Sequence, residues 1–94
     1  MKEICYAEHL ELRIKLRDLP YSLPKIIYQT VRERYFDAET QKLIALKHVK
    51  YKGKVREFMV AYIEDEERAL IITIHPLKEH QKLSRIKSDR WRVL

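Results

Sequence analysis

The stretch "VREFMVAYIEDEERALIITIHP", residues 55–76, decides the fold that the sequence predicts. Two runs rich in β-branched and aromatic residues, 55–64 and 69–75, lie on either side of an acidic turn around Glu64 to Glu67. Such runs, separated by a short polar turn, are typical of paired strands. Pro76 has no backbone N–H to donate to a neighbouring strand, so it closes the second run. The stretch therefore predicts an antiparallel hairpin.

Two more strands are predicted on the N-terminal side of this hairpin. The segment "RYFDAETQKLIALKHVKYK", residues 34–52, gives strands at about 34–37 and 42–51 around the turn-like Asp37 to Thr40. The only glycine, Gly53, follows in "YKGK", where a tight hairpin turn needs a positive φ. Together the four strands predict an antiparallel meander.

Helices are predicted on both sides of the meander. The first covers about 8–18 and ends before Pro20; the second covers about 23–33, with Ser22 as its N-cap. A short basic helix at about 78–87 and an extended tail complete the chain. The predicted fold is a single α+β domain, residues 1–94. It has two N-terminal helices, then a four-stranded antiparallel meander, then a short basic C-terminal helix and tail.

The charge balance favours a polyanionic partner. The chain has 20 Lys and Arg against 14 Asp and Glu, a net charge of +6 in 94 residues. A basic domain attracts nucleic acid most often, although a solvated charged exterior has the same composition. The single cysteine, Cys5, cannot form an internal disulfide. No apolar run reaches the length of a membrane span, and the N-terminus has no signal-peptide core. We therefore expect a cytoplasmic protein that is not in a membrane.

The first helix carries a basic stripe, which we define as His9, Arg13 and Arg17. At about 100° per residue these side chains fall at about 0°, 40° and 80°, so they share one side of the helix. Apolar residues flank the stripe on both sides, and the outward face is already occupied by charged residues. The flanking apolar residues are Leu10 and Ile14 on one side and Leu12, Leu16 and Leu19 on the other; the outward residues are Glu11, Lys15 and Asp18.

Three arrangements of the basic stripe remain open. The helix can straddle a groove, anchored by both apolar rows, so that the stripe lines the opening as an anion site. Carboxylates such as Asp37, Glu57 or Glu64 can instead neutralise the arginines inside the fold, since an unpaired buried charge costs several kcal/mol. In the third arrangement the helix is rolled so that the stripe meets solvent.

The order of motifs resembles a known family. An H-x-x-x-R-x-x-x-R helix in "HLELRIKLRDLP", residues 9–20, is followed by a second helix, the "YFDAETQK" hairpin, two hydrophobic strands, and "ITIHP" with a basic tail. This order is similar to small prokaryotic domains of unknown function grouped with the RelE/ParE-like toxins. Those toxins belong to the wider barnase–EndoU–colicin–RelE set of metal-independent ribonucleases. The family often has a small residue after the His and Gly after the second Arg, where this chain has Leu10 and Asp18.

The resemblance implies a cleft that gathers a helix His and Arg with a Thr on the last strand. The matching residues here are His9, Arg13, Arg17 and Thr73. Toxins of this kind usually pair with an antitoxin protein, which the resemblance implies as a partner.

The residues have the chemistry that metal-free RNA cleavage needs. A base must take the proton of the ribose 2′-OH, cations must stabilise the phosphorane, and an acid must protonate the leaving 5′-oxygen. His9 can serve as acid or base, Arg13 and Arg17 can hold the phosphate, and Thr73 can donate to it. His75 shares the face of Thr73 and is the second proton-transfer candidate, while Leu70, Ile72 and Ile74 are expected in the core.

Each of these residues also has a structural interpretation. His9 can pair near the helix N-terminus, Thr73 can be an ordinary strand residue, and His75 can be exposed at a strand end. Trp91 can anchor the tail on the core or offer a ring to a base. A basic strand at 47–52 suits RNA, but a charged edge strand that discourages aggregation looks the same.

The leading hypothesis is an RNA-binding domain that also cleaves RNA without a metal, with no cofactor. The alternatives are a non-catalytic nucleic-acid-binding module and an inactive toxin-like interaction domain, such as a homodimer. The spacing of the four His and one Cys predicts no metal site. The predicted catalytic residues are His9, Arg13, Arg17, Thr73 and His75, and the predicted nucleic-acid-binding residues are Lys47, His48, Lys50, Tyr51, Lys52, Arg85, Lys87, Arg90, Trp91 and Arg92.

Overall fold

Six strands form one mixed sheet in the computed structural model, which describes residues 2–94. The strand order is β1-β5-β4-β3-β2-β6; β1 pairs with β5 in parallel, and all other neighbours are antiparallel. The elements in chain order are β1 (Glu3–Tyr6), α1 (Glu8–Leu16), α2 (Leu23–Thr30), β2 (Arg34–Asp37), β3 (Lys42–Tyr51), β4 (Lys54–Glu64), β5 (Arg68–Pro76), α3 (Gln81–Lys87) and β6 (Trp91–Val93).

The prediction of a four-stranded antiparallel meander is wrong, because the sheet has six strands and is mixed. The four predicted strands do exist as β2 to β5, each with ends within one residue of those expected. The two added strands are short, and each joins an outer edge of the meander. β1 pairs with β5 more than 60 residues away, so no local turn marks it in the sequence. β6 has three residues, and the burial of Trp91 positions it.

Three helix boundaries differ from the predicted ones: α1 ends at Leu16 and not at about 18, α2 ends at Thr30 and not at about 33, and α3 begins at Gln81 and not at about 78. α1 ends at Leu16, before the proline, because Asp18 adopts a positive φ of 54° and Leu19 N donates to Ile14 O at 3.0 Å. Asp18 thus occupies the left-handed position that favours glycine. Ser22 occupies the N-cap position of α2 as predicted, but it has helical backbone angles and its side chain makes no capping hydrogen bond.

The sheet has a core on each face. The helical face, covered by α1 and α2, buries Phe58, Val60 and Tyr62 of β4. The alternate residues Met59 and Ala61 lie on the other face, which we call the cleft face, with Trp91. Ile86 of α3 packs there as well. Alternate side chains of β4 therefore pack into the core on the helical face and into the core on the cleft face.

A β-bulge in β5 changes which residues reach the core. Ala61 pairs with Thr73 but Tyr62 pairs with Ile71, so Ile72 has no residue opposite it. The bulge lets both Ile71 and Ile74 face the helices, fully buried. The expectation that Ile72 belongs to the core with Ile74 is therefore wrong, and so is that for Leu70; both are only partly buried.

The ends of β3 and β4 project from the sheet as a two-stranded arm, which we define as residues 47–56. β2 pairs with β3 only up to Ala45, and β5 pairs with β4 only as far as Phe58. Lys52 and Gly53 form the turn with φ of 51° and 81°, as a two-residue hairpin loop requires. Within residues 2–94 no helix is both long enough and apolar enough to cross a membrane.

Candidate functional site

A cleft of about 240 Å³ opens on the cleft face of the sheet, between β5 and the C-terminal segment. Basic, hydroxyl and imidazole side chains surround an apolar floor, the combination that a small anionic group requires. The residues that line the cleft are Asp37, Thr40, Lys42, Ile44, Met59, Ala61, Ile72, Thr73, His75, Arg85 and Arg90.

Thr73 lines this cleft, and its hydroxyl has no hydrogen-bond partner among residues 2–94. Its Oγ1 atom is buried and makes no hydrogen bond within the described residues. A buried hydroxyl without a partner costs about 1–3 kcal/mol, so such groups are rare outside functional sites. Thr73 directly follows the bulge at Ile72, and it pairs with Ala61, where the register of β4 and β5 shifts.

We predict that Thr73→Val stabilises the protein by about 1 kcal/mol, because valine has the shape of threonine without the unpaired hydroxyl. Urea unfolding measures the change. Thr40→Val, at an exposed turn, is the control and is expected to change stability by less than about 0.5 kcal/mol. A loss of stability in Thr73→Val would show that the hydroxyl is satisfied in the folded protein.

His75 is partly buried beside Thr73 and is held in one tautomer. Its Nδ1 lies 3.2 Å from the carbonyl oxygen of Pro76, which can only accept, so Nδ1 carries the proton and Nε2 keeps its lone pair. Burial lowers the pKa of His75, the bond to Pro76 opposes this, and the positive charges of Arg17, Arg85 and Arg13 lower it further. The lowered pKa therefore favours the neutral form of His75, in which Nε2 is the basic nitrogen.

Arg85 is a partly buried arginine without a carboxylate partner. Its guanidinium lies over the ring of Trp91, 5.1 Å from the centroid, and Nη1 reaches only the sulfur of Met59 at 3.6 Å. No ion pair among residues 2–94 includes Arg85. Burial and the charge of Arg90 lower its pKa. Because a guanidinium has five N–H donors, Arg85 can donate to an anion in the cleft.

Asp37 holds the wall of the cleft opposite β5. Its carboxylate accepts hydrogen bonds from Arg90 Nε at 3.0 Å, Arg90 Nη2 at 3.1 Å and Trp91 Nε1 at 3.2 Å. The backbone N–H groups of Glu39 and Thr40 also donate to it. Asp37 is thus the buried anchor of β6, and Arg90 is already neutralised.

The basic stripe faces outward, which corresponds to the third arrangement considered from the sequence. Leu10 and Ile14 are buried, whereas Leu12 and Leu16 are 55% and 75% exposed. Of the second row only Leu19 is buried, and it lies beyond the end of α1. The helix itself is therefore anchored by one row and is rolled toward it. His9 and Arg13 are exposed, and none of the three stripe residues lines the cleft.

Among residues 2–94 no carboxylate forms an ion pair with the stripe. The three acids considered for that role have other partners: Asp37 binds Arg90, Glu57 lies 3.3 Å from Lys82 Nζ, and Glu64 lies 2.8 Å from Lys2 Nζ. Arg13 and Arg17 are close enough to His75 for their charges to lower its pKa. None of the three stripe residues is thus placed in the cleft, and the two arginines act on His75 only through their charge.

The predicted nucleic-acid-binding residues separate into four groups. Arg85 and Arg90 line the cleft. Lys87 of α3 and Arg92 of β6 are exposed and do not line it. Trp91 is 1% exposed and stacks on Tyr35, so its interpretation as a base-stacking ring is wrong and the anchoring one is correct. The remaining predicted residues, Lys47, His48, Lys50, Tyr51 and Lys52, lie on the arm.

Sequence reasoning missed three basic residues. Lys42 lines the cleft from the start of β3, and Lys54 and Arg56 continue the basic charge along the second strand of the arm. The signal for the last two was the absence of any acidic residue in 47–56. Among residues 2–94 no three His, Cys, Asp or Glu side chains are grouped as metal ligands.

Comparison of the chain with protein-family models, with curated proteins and with solved structures finds no match.

Proposed function

We propose that this domain binds RNA, that one phosphodiester occupies the cleft, and that the cleft cleaves it without a metal. The observation that carries the proposal is the unpartnered Thr73 hydroxyl beside the unpaired guanidinium of Arg85 in one cleft. In the proposed complex Arg85 donates to a phosphate oxygen, and the buried Thr73 hydroxyl turns toward the cleft to donate to it as well. The net charge of +6 favours a polyanion. The activity is that of the toxin-like ribonucleases that the sequence resembles.

Neutral His75 is the base of the proposed cleavage. Its Nε2 takes the proton of the ribose 2′-OH, and the 2′-oxygen then attacks the adjacent phosphorus. Arg85 and Thr73 stabilise the negative charge of the phosphorane. The bond from phosphorus to the 5′-oxygen breaks, and that oxygen takes a proton from water. The products are a 2′,3′-cyclic phosphate and a 5′-hydroxyl.

The binding half of the proposal is tested with Arg85→Ala. Loss of a guanidinium that contacts a phosphate weakens RNA binding by on the order of 10-fold. Fluorescence anisotropy measures it with a labelled RNA whose 2′-hydroxyls are methylated, so that the RNA cannot be cleaved. Lys87→Ala is the matched control, because Lys87 is an exposed cation two residues away that lies outside the cleft. We expect its effect to be less than about 2-fold.

Two outcomes separate the forms of this proposal. If the wild type binds RNA tightly and all of an unmethylated RNA is recovered intact, the protein is a non-catalytic nucleic-acid-binding module. If Arg85→Ala and Lys87→Ala bind RNA equally well, the cleft does not hold the phosphate and the proposal is wrong.

A further inference from the structure

The arm concentrates the positive charge of the whole protein. Residues 47–56 contain five Lys and Arg and no Asp or Glu, so the rest of the chain carries a net charge of only +1. None of these five cations forms an ion pair within the described residues. The cations of the arm are Lys47, Lys50, Lys52, Lys54 and Arg56.

The arm presents cations on both of its faces. Val49 and Tyr51 pack against the helical-face core, and the residues paired with them are Arg56 and Lys54. Paired residues of an antiparallel ladder share a face, so these two cations lie on the helical face. Lys50, one residue out of phase, lies on the cleft face. A single phosphate backbone lying along one face could not contact all of these groups.

The arm lacks the aromatic surface that single-stranded nucleic acid requires. Proteins that bind single strands combine basic charge with aromatic rings on which bases stack. Tyr51 is the only Phe, Tyr or Trp residue of the arm, and its ring packs on Phe58 with centroids 5.2 Å apart. Its hydroxyl donates to Arg17 O at 2.8 Å. The other ring of the arm is the imidazole of His48, whose Nε2 lies 3.9 Å from Glu57 Oε2. The groups of the arm that are free to contact RNA are therefore its cations. Cations bind phosphates, and proteins recognise RNA helices mainly by their shape and their phosphates.

We propose that the arm binds the double-helical stem of a structured RNA, contacting phosphates of both strands beside one groove. This inference rests on the proposed function, because the cleft then holds a phosphodiester of the adjoining single-stranded loop. Met59 lines the cleft, and Lys54 at the tip of the arm is five residues along the same strand. At about 3.3 Å per residue they are about 17 Å apart, a distance of several base pairs along a double helix.

The test compares a labelled RNA stem–loop with an unstructured RNA of equal length at a series of salt concentrations. The variant Lys50→Gln/Lys52→Gln/Lys54→Gln removes three cations of the arm. For the stem–loop, the slope of log K against log salt in this variant is expected to be shallower by about 2.7, because each lost phosphate contact removes about 0.9. Its binding is expected to be weaker by on the order of 10-fold. Binding of the unstructured RNA is expected to change by less than about 2-fold.

The matched control is Lys15→Gln/Lys25→Gln/Arg32→Gln, which removes three exposed cations outside the arm and the cleft. If both triple variants behave alike, net charge and not the arm governs binding, and the inference is wrong. It is also wrong if the wild type binds both RNAs equally, or if it binds a DNA duplex more tightly than the stem–loop. If the arm variant loses the stem–loop while Arg85→Ala binds normally, the inference stands and the proposed role of the cleft fails.

Discussion

Asp37→Ala is expected to lower the free energy of unfolding by about 3–5 kcal/mol, the largest effect on stability that we predict. The substitution removes the acceptor for Arg90, for the indole N–H of Trp91 and for two backbone N–H groups. The buried indole N–H of Trp91 then lacks a partner, and the partly buried guanidinium of Arg90 keeps only the exposed Glu39. β6 loses the side-chain contacts that attach it to β2 and keeps only its backbone pairing. Thermal unfolding should occur at least about 10 °C lower.

The pH dependence of stability provides a second measurement on the same carboxylate. Burial raises the pKa of Asp37, but its hydrogen bonds from Arg90, Thr40, Trp91 and Glu39 outweigh burial and bring the pKa to about 2. The folded-state pKa is therefore below the unfolded one. Asp37 then contributes about 2 kcal/mol above pH 4, which is lost as the pH falls toward 2. In Asp37→Ala this contribution is absent, so its stability should fall less over that range.

Glu39→Ala is the control for the Asp37 prediction. Glu39 also lies near Arg90, with its Oε2 3.5 Å from Nη1, but its side chain is 68% exposed. Exposed ion pairs contribute little, so a change below about 0.5 kcal/mol is expected. If Asp37→Ala cost no more than Glu39→Ala, the anchoring of β6 by the buried carboxylate would be refuted.

His75→Ala is expected to reduce RNA cleavage in excess EDTA by at least about 100-fold, the contribution typical of a general base. The base must be unprotonated, and the pKa of His75 is lowered by burial and by three arginines. Cleavage by the wild type should therefore persist to a lower pH than an unperturbed imidazole allows. Single-turnover rates measured across the pH range test both expectations.

Two further variants separate a base from a merely structural residue. Arg17→Gln removes the largest of the charges that lower the pKa of His75, so the acidic limb of the pH–rate profile should move to higher pH. His80→Ala, at an exposed position before α3, should leave the rate unchanged. Loss of cleavage in His9→Ala with normal cleavage in His75→Ala would restore the site predicted from the sequence and exclude the cleft.

The outcomes for particular residues show where the sequence was informative. Thr73 and His75 were predicted to share a face and do so, because alternation along a strand is a local property. The roll of α1 was not predicted, because a helix with apolar residues on two sides has no single preferred face. Only contact with β5 decided that Leu10 and Ile14 are buried while Leu12 and Leu16 are exposed.

For Asp37, one structural role could be predicted from the sequence and another could not. Its place in a turn was readable, since aspartate side chains accept from backbone N–H groups two and three residues later. Its partnership with Arg90 was not readable, because the two residues are 53 positions apart. The cleft depends on such long-range pairs, so its composition followed only from the folded chain.

The sequence by itself determined the four central strands, the glycine turn of the arm and the excess of positive charge. Each of these depends on residue type and on spacing over a few positions. The tertiary structure alone decided the edge strands β1 and β6, the bulge at Ile72 and the orientation of the basic stripe. Each of these depends on which distant surfaces compete for the same buried area, and that competition is resolved only when the whole sheet assembles.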